Sequence, residues 1–120
     1  DALPKADVSR VQVKNQVRMQ QMLGYLHTHY AQTVTLADIA AAANISRSEA
    51  GRCFAAYMDC SPVEALIEHR LETARGMLHD TTMSLQEIAE ACGFNSANYF
   101  SRQYKRVYGC APGQKNTLGK

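Results

Sequence analysis

An all-α fold of two helix-turn-helix subdomains joined by a long linker helix, about seven helices in all, is predicted by three features of this 120-residue chain. One is a duplicated pattern. Leu36, Asp38, Ile39, Ala40, Ala42 and Ala43 match Leu85, Glu87, Ile88, Ala89, Ala91 and Cys92 at an offset of 49. After one extra residue in the second copy's turn, Ser46, Arg52, Phe54, Cys60 and Pro62 match Ser96, Arg102, Tyr104, Cys110 and Pro112 at an offset of 50. Such a period implies a repeated supersecondary unit, here a short helix, a turn and a longer helix that begins at a serine. The second feature is a set of paired hydroxyl and carboxylate residues at helix starts, and the third is one uninterrupted amphipathic stretch between the copies.

The elements follow in order. Residues 1–14 carry Pro4, charges and isolated valines without a period, as expected of a linker or N-terminal arm. Met19, Met22, Leu23, Leu26 and Tyr30 then recur at helical spacing and predict a first helix of about Asn15 to Tyr30, opening a first subdomain of residues 15–60. Thr35 with Asp38, Ser46 with Glu49, Ser61 with Glu64 and Ser84 with Glu87 have capping-box spacing, in which the hydroxyl accepts from a free backbone N–H and the carboxylate reaches back. Asp38, shorter than Glu, predicts the weakest box. Pro62 suits a first helical position, where its missing donor costs nothing. Residues 61–79 form the connecting helix, with Leu66, Ile67, Leu71, Ala74 and Leu78 along one stripe. Its length of roughly 27 Å is near the ~34 Å repeat of successive major-groove faces of B-DNA. Residues 80–112 form the second subdomain, with Gly93 at a left-handed turn and Gly109 ending its last helix. Residues 113–120 are a polar tail.

Composition bounds the function. Hydrophobic residues make up 46% and charged residues 20%, enough for a folded core. The net charge of +2 is too mild to establish nucleic-acid binding, so the position of the charges has to decide. Cys53, Cys60, Cys92 and Cys110 form no C-x-x-C pair and suit small buried hydrophobes in a reducing compartment. No apolar run is long enough to span a bilayer, and no P-loop, H-E-x-x-H or nucleophile elbow appears. The expectation is a cytoplasmic protein with no membrane association, catalytic residues, cofactor or metal, and one that forms part of a longer chain.

A helix that enters a major groove needs small or polar residues near its N-terminus and donors for phosphate or base edges. In residues 96–108, Ser96, Ala97, Asn98, Ser101 and Arg102 share one side, while Tyr99, Phe100, Tyr104 and Val107 supply the packed side and its edges. Arg102 is suited to guanine, Asn98 to adenine, and Lys105 and Arg106 to phosphate. The first repeat offers Arg47, Ser48, Gly51 and Arg52, with Phe54 and Tyr57 packing. A solvated face remains the alternative for the charged residues. Gly51 either permits close approach or weakens its helix, and Glu49 either accepts from cytosine or only completes its box.

Ile88-Ala89-Glu90-Ala91-Cys92-Gly93-Phe94-Asn95-Ser96, Tyr99-Phe100-Ser101-Arg102-Gln103-Tyr104-Lys105 and Gly109-Cys110-Ala111-Pro112 resemble the DNA-binding domain of the AraC/XylS family of bacterial transcription regulators. Leu36 to Ala40, Arg52, Phe54, Ser61-Pro62 and Arg70-Leu71 support the resemblance, which covers about Met19 to Pro112. It implies two recognition helices in successive major-groove segments of double-stranded operator or promoter DNA. It also implies an effector-binding or dimerisation domain preceding this one, and activation through contact with RNA polymerase. By position the DNA-facing residues would be Arg47, Ser48, Gly51, Arg52, Asn95, Ser96, Ala97, Asn98, Ser101 and Arg102. Glu49, Ala50, Ala55 and Asp59 depart from the family's pattern and thin the packing and positive charge of the first repeat, which is therefore expected to read less sequence than the second. Gly113-Gln114 replace a frequent Tyr-Arg pair. The competing reading is a helical protein-interaction module that has lost sequence-specific DNA reading.

Overall fold

The computed structural model describes residues 2–114. It contains α1 (Ala2–His29), α2 (Leu36–Ala42), α3 (Arg47–Met58), α4 (Pro62–Asp80), α5 (Leu85–Ala91) and α6 (Ala97–Tyr108), followed by a 3-10 turn at Pro112–Gln114. No strand occurs among the described residues, so the all-α prediction holds, with six α-helices and the 3-10 turn in place of about seven helices. Residues 115–120 of the expected tail, and Asp1, lie outside the described residues.

The largest departure is at the start. The helix expected from about Asn15 begins at Ala2, so residues 2–14 are helical rather than an irregular arm. Pro4 falls in the first turn, where no intrahelical donor is needed, and neither Gly nor another Pro interrupts the chain before Gly24. Hydrophobic period is a poor guide here because Val11, Val13 and Val17 are 57%, 58% and 46% exposed.

The chain divides into two compact units. One comprises residues up to Thr28 together with Val34–Val63, and the other His29–Thr33 with the chain from Glu64 onward. In the first, the buried residues come from α1 (Met19, Met22, Leu26), α2 (Ile39, Ala40) and α3 (Ala50, Cys53, Phe54). In the second, Leu71, Ala74 and Leu78 of α4 pack with Ile88, Ala89, Cys92, Phe94, Phe100 and Tyr104 in one cluster. From Glu64 onward α4 thus belongs to the second unit, whose core takes Leu71, Ala74 and Leu78 of the apolar stripe read from the sequence, with Ile67 packed against them. The Arg70 guanidinium fastens the turn after α1 to this unit, with Nε donating to the Tyr30 carbonyl at 2.7 Å and Nη2 to that of Gln32 at 2.8 Å.

Three predicted capping boxes are complete, at Thr35/Asp38, Ser46/Glu49 and Ser84/Glu87. The Asp38 box is not the weakest in geometry: its carboxylate contact falls between those of the Glu87 box, at 2.8 Å, and the Glu49 box. Thr35 N donates to Asp38 Oδ2 at 2.9 Å, against 3.2 Å from Ser46 N to Glu49 Oε1. The backbone and side-chain hydrogen bonds of Thr35 hold the Asp38 carboxyl below its ordinary range.

The repeats also agree at two left-handed positions. Asn44 (φ 57°) in the turn between α2 and α3 matches Gly93 (φ 90°), and Asp59 (φ 56°) at the end of α3 matches Gly109 (φ 82°). Aspartate at a left-handed helix end carries a steric cost that glycine lacks. Asp59→Gly is therefore expected to stabilise the first unit by about 1 kcal/mol, seen as a higher urea midpoint with an unchanged slope; an unchanged midpoint would mean that Asp59 bears no such cost.

Candidate nucleic-acid interface

Each unit presents the second helix of its repeat in the same way. Helix α3 starts at the Ser46 cap, whose Oγ accepts from Glu49 N at 3.1 Å, and buries Ala50, Cys53 and Phe54. Helix α6 starts at Ser96, whose Oγ accepts from Tyr99 N at 3.0 Å, and buries Phe100 and Tyr104. Ala50 matches Phe100 and both are fully buried, so the first repeat has the smaller side chain at the same packed place. With these positions turned inward, helical geometry carries Ser48 and Arg52 to the opposite side of α3, and Asn98 and Arg102 to the opposite side of α6, with Gly51 and Ser101 on the flanks; Arg47, in the first turn of α3, lies at the edge of the buried side, near the direction of Phe54.

Solvent exposure agrees. Arg47, Ser48 and Arg52 are exposed and Gly51 half-buried, while Asn95, Ser96, Asn98, Arg102 and Lys105 are exposed and Ala97 and Ser101 half-buried. A Cβ on Gly51 would meet nothing within 4 Å, so the fold itself does not require glycine there. Two packing expectations fail together. Tyr57 and Val107, which occupy matching positions in the last turns of α3 and α6, are 42% and 38% exposed rather than packed. Val107 lies beyond Tyr104, the last buried aromatic of α6, whereas Tyr57 lies at the rim of the groove against α1, its hydroxyl donating to the Gln12 carbonyl at 3.5 Å.

The matched arginines have different neighbours. The Arg102 guanidinium lies over the Tyr99 ring, 5.8 Å from its centroid, which steadies the side chain without cancelling its charge. In the first repeat Glu49 holds the position of Tyr99. Its carboxyl is kept below the ordinary range chiefly by the Ser46 N–H, against some desolvation, and further by the charges of Arg18 and Arg52. Glu49 therefore offsets positive charge on α3, and α6 has no such carboxylate.

Sequence reasoning missed the contribution of α1. Asn15 and Arg18 line a groove of about 290 Å³ with Glu49, Arg52, Cys53, Ala56 and Tyr57, all within the first unit. The signal was the four-residue spacing of Arg10, Lys14 and Arg18, hidden by the expectation of an arm.

Net charge conceals a division by element. Helices α3 and α6 carry Arg47, Arg52, Arg102, Lys105 and Arg106 against Glu49 alone. Helices α2, α4 and α5 carry Asp38, Glu64, Glu68, Glu72, Asp80, Glu87 and Glu90. Their two guanidiniums are engaged: Arg70 on backbone carbonyls, and Arg75 at 4.8 Å over the Tyr108 ring. Among the described residues no group of three or more His, Cys, Asp or Glu is placed to hold a metal. None of the four cysteines forms a disulfide among the described residues, and burial pushes the Cys92 thiol up to about 11, which keeps it protonated. No helix among the described residues is long and apolar enough to cross a membrane.

Two short capped helix pairs, each with a polar and basic outer face on its second helix, define a helix-turn-helix protein. The family model described as a helix-turn-helix domain matches residues 39–116. The chain belongs to the AraC/XylS family of transcription regulators. It is 34% identical over 98 residues to the HTH-type transcriptional regulator GbdR of Pseudomonas aeruginosa, a match covering 82% of this chain and 27% of that protein. It thus spans about a quarter of that relative's length. Among solved structures, an AraC-type transcriptional regulator from Chromobacterium violaceum superposes with a TM-score of 0.80 at 27% identity, covering 85% of this chain and 91% of that one. The DNA-binding domain of AdpA, solved in complex with a target DNA, shares the fold with a TM-score of 0.75 at 23% identity over 84% of this chain and 96% of that one. These relatives are transcription regulators, not enzymes.

Proposed function

We propose that this chain is the sequence-specific DNA-binding domain of a bacterial AraC-type activator, inserting α3 and α6 into successive major-groove segments of double-stranded operator or promoter DNA. The observation that carries the reading is the gathering of cations on the outward faces of α3 and α6, with an arginine at the matched position of each repeat. The DNA complex of AdpA supports the choice of ligand. Arg52 and Arg102 read bases, together with Asn98; Arg47, Ser48, Asn95, Ser96 and Lys105 contact phosphate; Gly51, Ala97 and Ser101 allow the backbone to approach. The whole protein carries an effector-binding or dimerisation domain N-terminal to this segment, works in the cytoplasm and raises transcription through contact with RNA polymerase. The first of these is supported by the greater length of GbdR, and activation by the family resemblance.

Selection of duplexes from a random pool, followed by salt titration, tests the proposal. A defined site with two contacted segments about one helical turn apart is expected, bound more weakly as salt rises. Equal affinity for every duplex would defeat base reading, and no retained DNA at low salt would point instead to a protein-interaction module.

Glu49 supplies an internal test. Gln at this position keeps the capping box while removing the negative charge. Glu49→Gln is expected to tighten binding several-fold at low salt, more for duplexes altered in the α3 segment than in the α6 segment. Weaker binding would show instead that the carboxylate is itself a contact, as an acceptor from cytosine would be.

A further inference from the structure

Helix α1 carries Arg10, Lys14 and Arg18 at successive four-residue intervals, so the three cations lie along one side, about 6 Å apart along the axis. Between Val8 and Ala37 the sequence contains no Asp or Glu at all. Like charges at this spacing repel each other, and a helix built only for stability would alternate them with carboxylates. Helix α4 of the same protein, with Glu64, Glu68 and Glu72 four apart, includes Arg70 and Arg75; the sequence of α1 has a single carboxylate, Asp7, three residues before Arg10, and none at helical spacing of three or four from Lys14 or Arg18. The polar residues interspersed with the α1 cations, Gln12, Gln16 and Gln20, are uncharged and exposed.

The stripe is also placed. Arg18 shares the 290 Å³ groove with Arg52 and Glu49 of α3. Lys14 and Arg18 line a second groove with Asn44 and Ile45, the turn that delivers the chain to the start of α3. Arg18 therefore joins both grooves. Lys14 and Arg10, both exposed, extend the positive charge outward from the edge of the α3 face assigned to DNA.

We infer that Arg10, Lys14 and Arg18 form a phosphate-binding track, by which α1 grips the DNA backbone beside the segment entered by α3. The inference rests on the DNA-binding reading and adds a sequence-independent contact to it. Fixed cations that meet phosphates release counterions, so their contribution appears in the salt dependence and not in base preference.

The test replaces all three residues by glutamine in the intact chain and measures binding to a selected duplex and to an unrelated one across a range of salt. The slope of log affinity against log salt should fall by about 2 to 3, near 0.9 for each lost phosphate contact, weakening both duplexes roughly a hundredfold at about 0.1 M salt. The ranking of single-base variants of the site should not change. Glu72→Gln on α4 alters net charge by one in the opposite direction at a place away from the track, and should leave the slope as it is. Should the triple variant fold poorly, Lys14→Gln alone should reduce the slope by about 0.9. An unchanged slope in the substituted proteins, or an equal change from the α4 control, would overturn the track. If the unaltered protein retains no duplex, the DNA-binding reading itself is what fails.

Discussion

Gly93→Ala is expected to be the most destabilising single change in the second unit, costing about 3 kcal/mol or more. Its φ of 90° alone costs an L-residue about 1–2 kcal/mol. The rest comes from space. An added Cβ would lie 2.5 Å from the Tyr30 carbonyl oxygen and 3.0 Å from Arg70 Nε, the acceptor and donor of the 2.7 Å bond that fastens the turn after α1. Moving either partner weakens a hydrogen bond to a charged group, worth roughly 1.5–3 kcal/mol. Gly109 provides the control, since its φ is similar at 82° and nothing lies within 4 Å of its missing Cβ. Gly109→Ala should therefore show only the conformational cost, about 1–2 kcal/mol. The first repeat separates the two causes further, because Asn44 occupies the matching turn at φ 57° without glycine. Gly93→Asn, which removes most of the conformational objection, should still be destabilised. Urea unfolding followed by far-UV circular dichroism measures all three. If Gly93→Asn unfolds at the original midpoint, the close approach of the Tyr30 carbonyl has no energetic weight.

For DNA recognition the largest effect is expected from Arg102→Ala. The guanidinium is exposed, projects from the first half of α6 and rests over Tyr99, an arrangement that limits its freedom before DNA arrives. Loss of a bidentate contact with guanine should cost about 1–3 kcal/mol and relax preference at one base pair. Arg102→Lys should restore part of the affinity and little of the discrimination, since an ammonium lacks the planar fork. Arg52→Ala should cost less, because Glu49 offsets the Arg52 charge and the corresponding place in α6 holds an aromatic ring instead. Equal losses at Arg52 and Arg102 in a duplex-binding titration would contradict the predicted dominance of the second repeat. Uniform weakening across all single-base variants after Arg102→Ala would reassign that side chain to phosphate.

The parts of the fold legible in the sequence were those fixed by local chemistry. The starts of α2, α3 and α5 are marked by a hydroxyl and a carboxylate three residues apart, and Gly109 marks the end of α6 by its left-handed backbone. The buried stripes of α4 and of α1 from Met19 to Leu26 followed from helical period because their apolar faces are covered. The first half of α1 escaped for the converse reason: Val11 and Val13 are more than half exposed, so period carries no information there. Val107 misled because an apolar residue in a final helical turn packs only if another element covers it, and Tyr57 because α1 meets it at a groove rim that leaves the ring 42% exposed. The groove joining Asn15 and Arg18 to Glu49 and Arg52 brings together residues more than thirty positions apart, which no local pattern announces.

The division of labour within α3 has an evolutionary consequence. Its border is set by Ser46 and Glu49 and its seat by Ala50, Cys53 and Phe54, so Arg47, Ser48 and Arg52 can be exchanged with little effect on folding. On the proposed DNA-binding reading, substitution at Arg52 would retarget this half to a new base and substitution at Arg47 or Ser48 would alter its hold on phosphate, each tried on an intact scaffold. Ser96 does not enjoy that licence, for the hydroxyl that would face the duplex also starts α6. Drift in binding preference should accordingly accumulate around Ser96 while the serine itself stays in place.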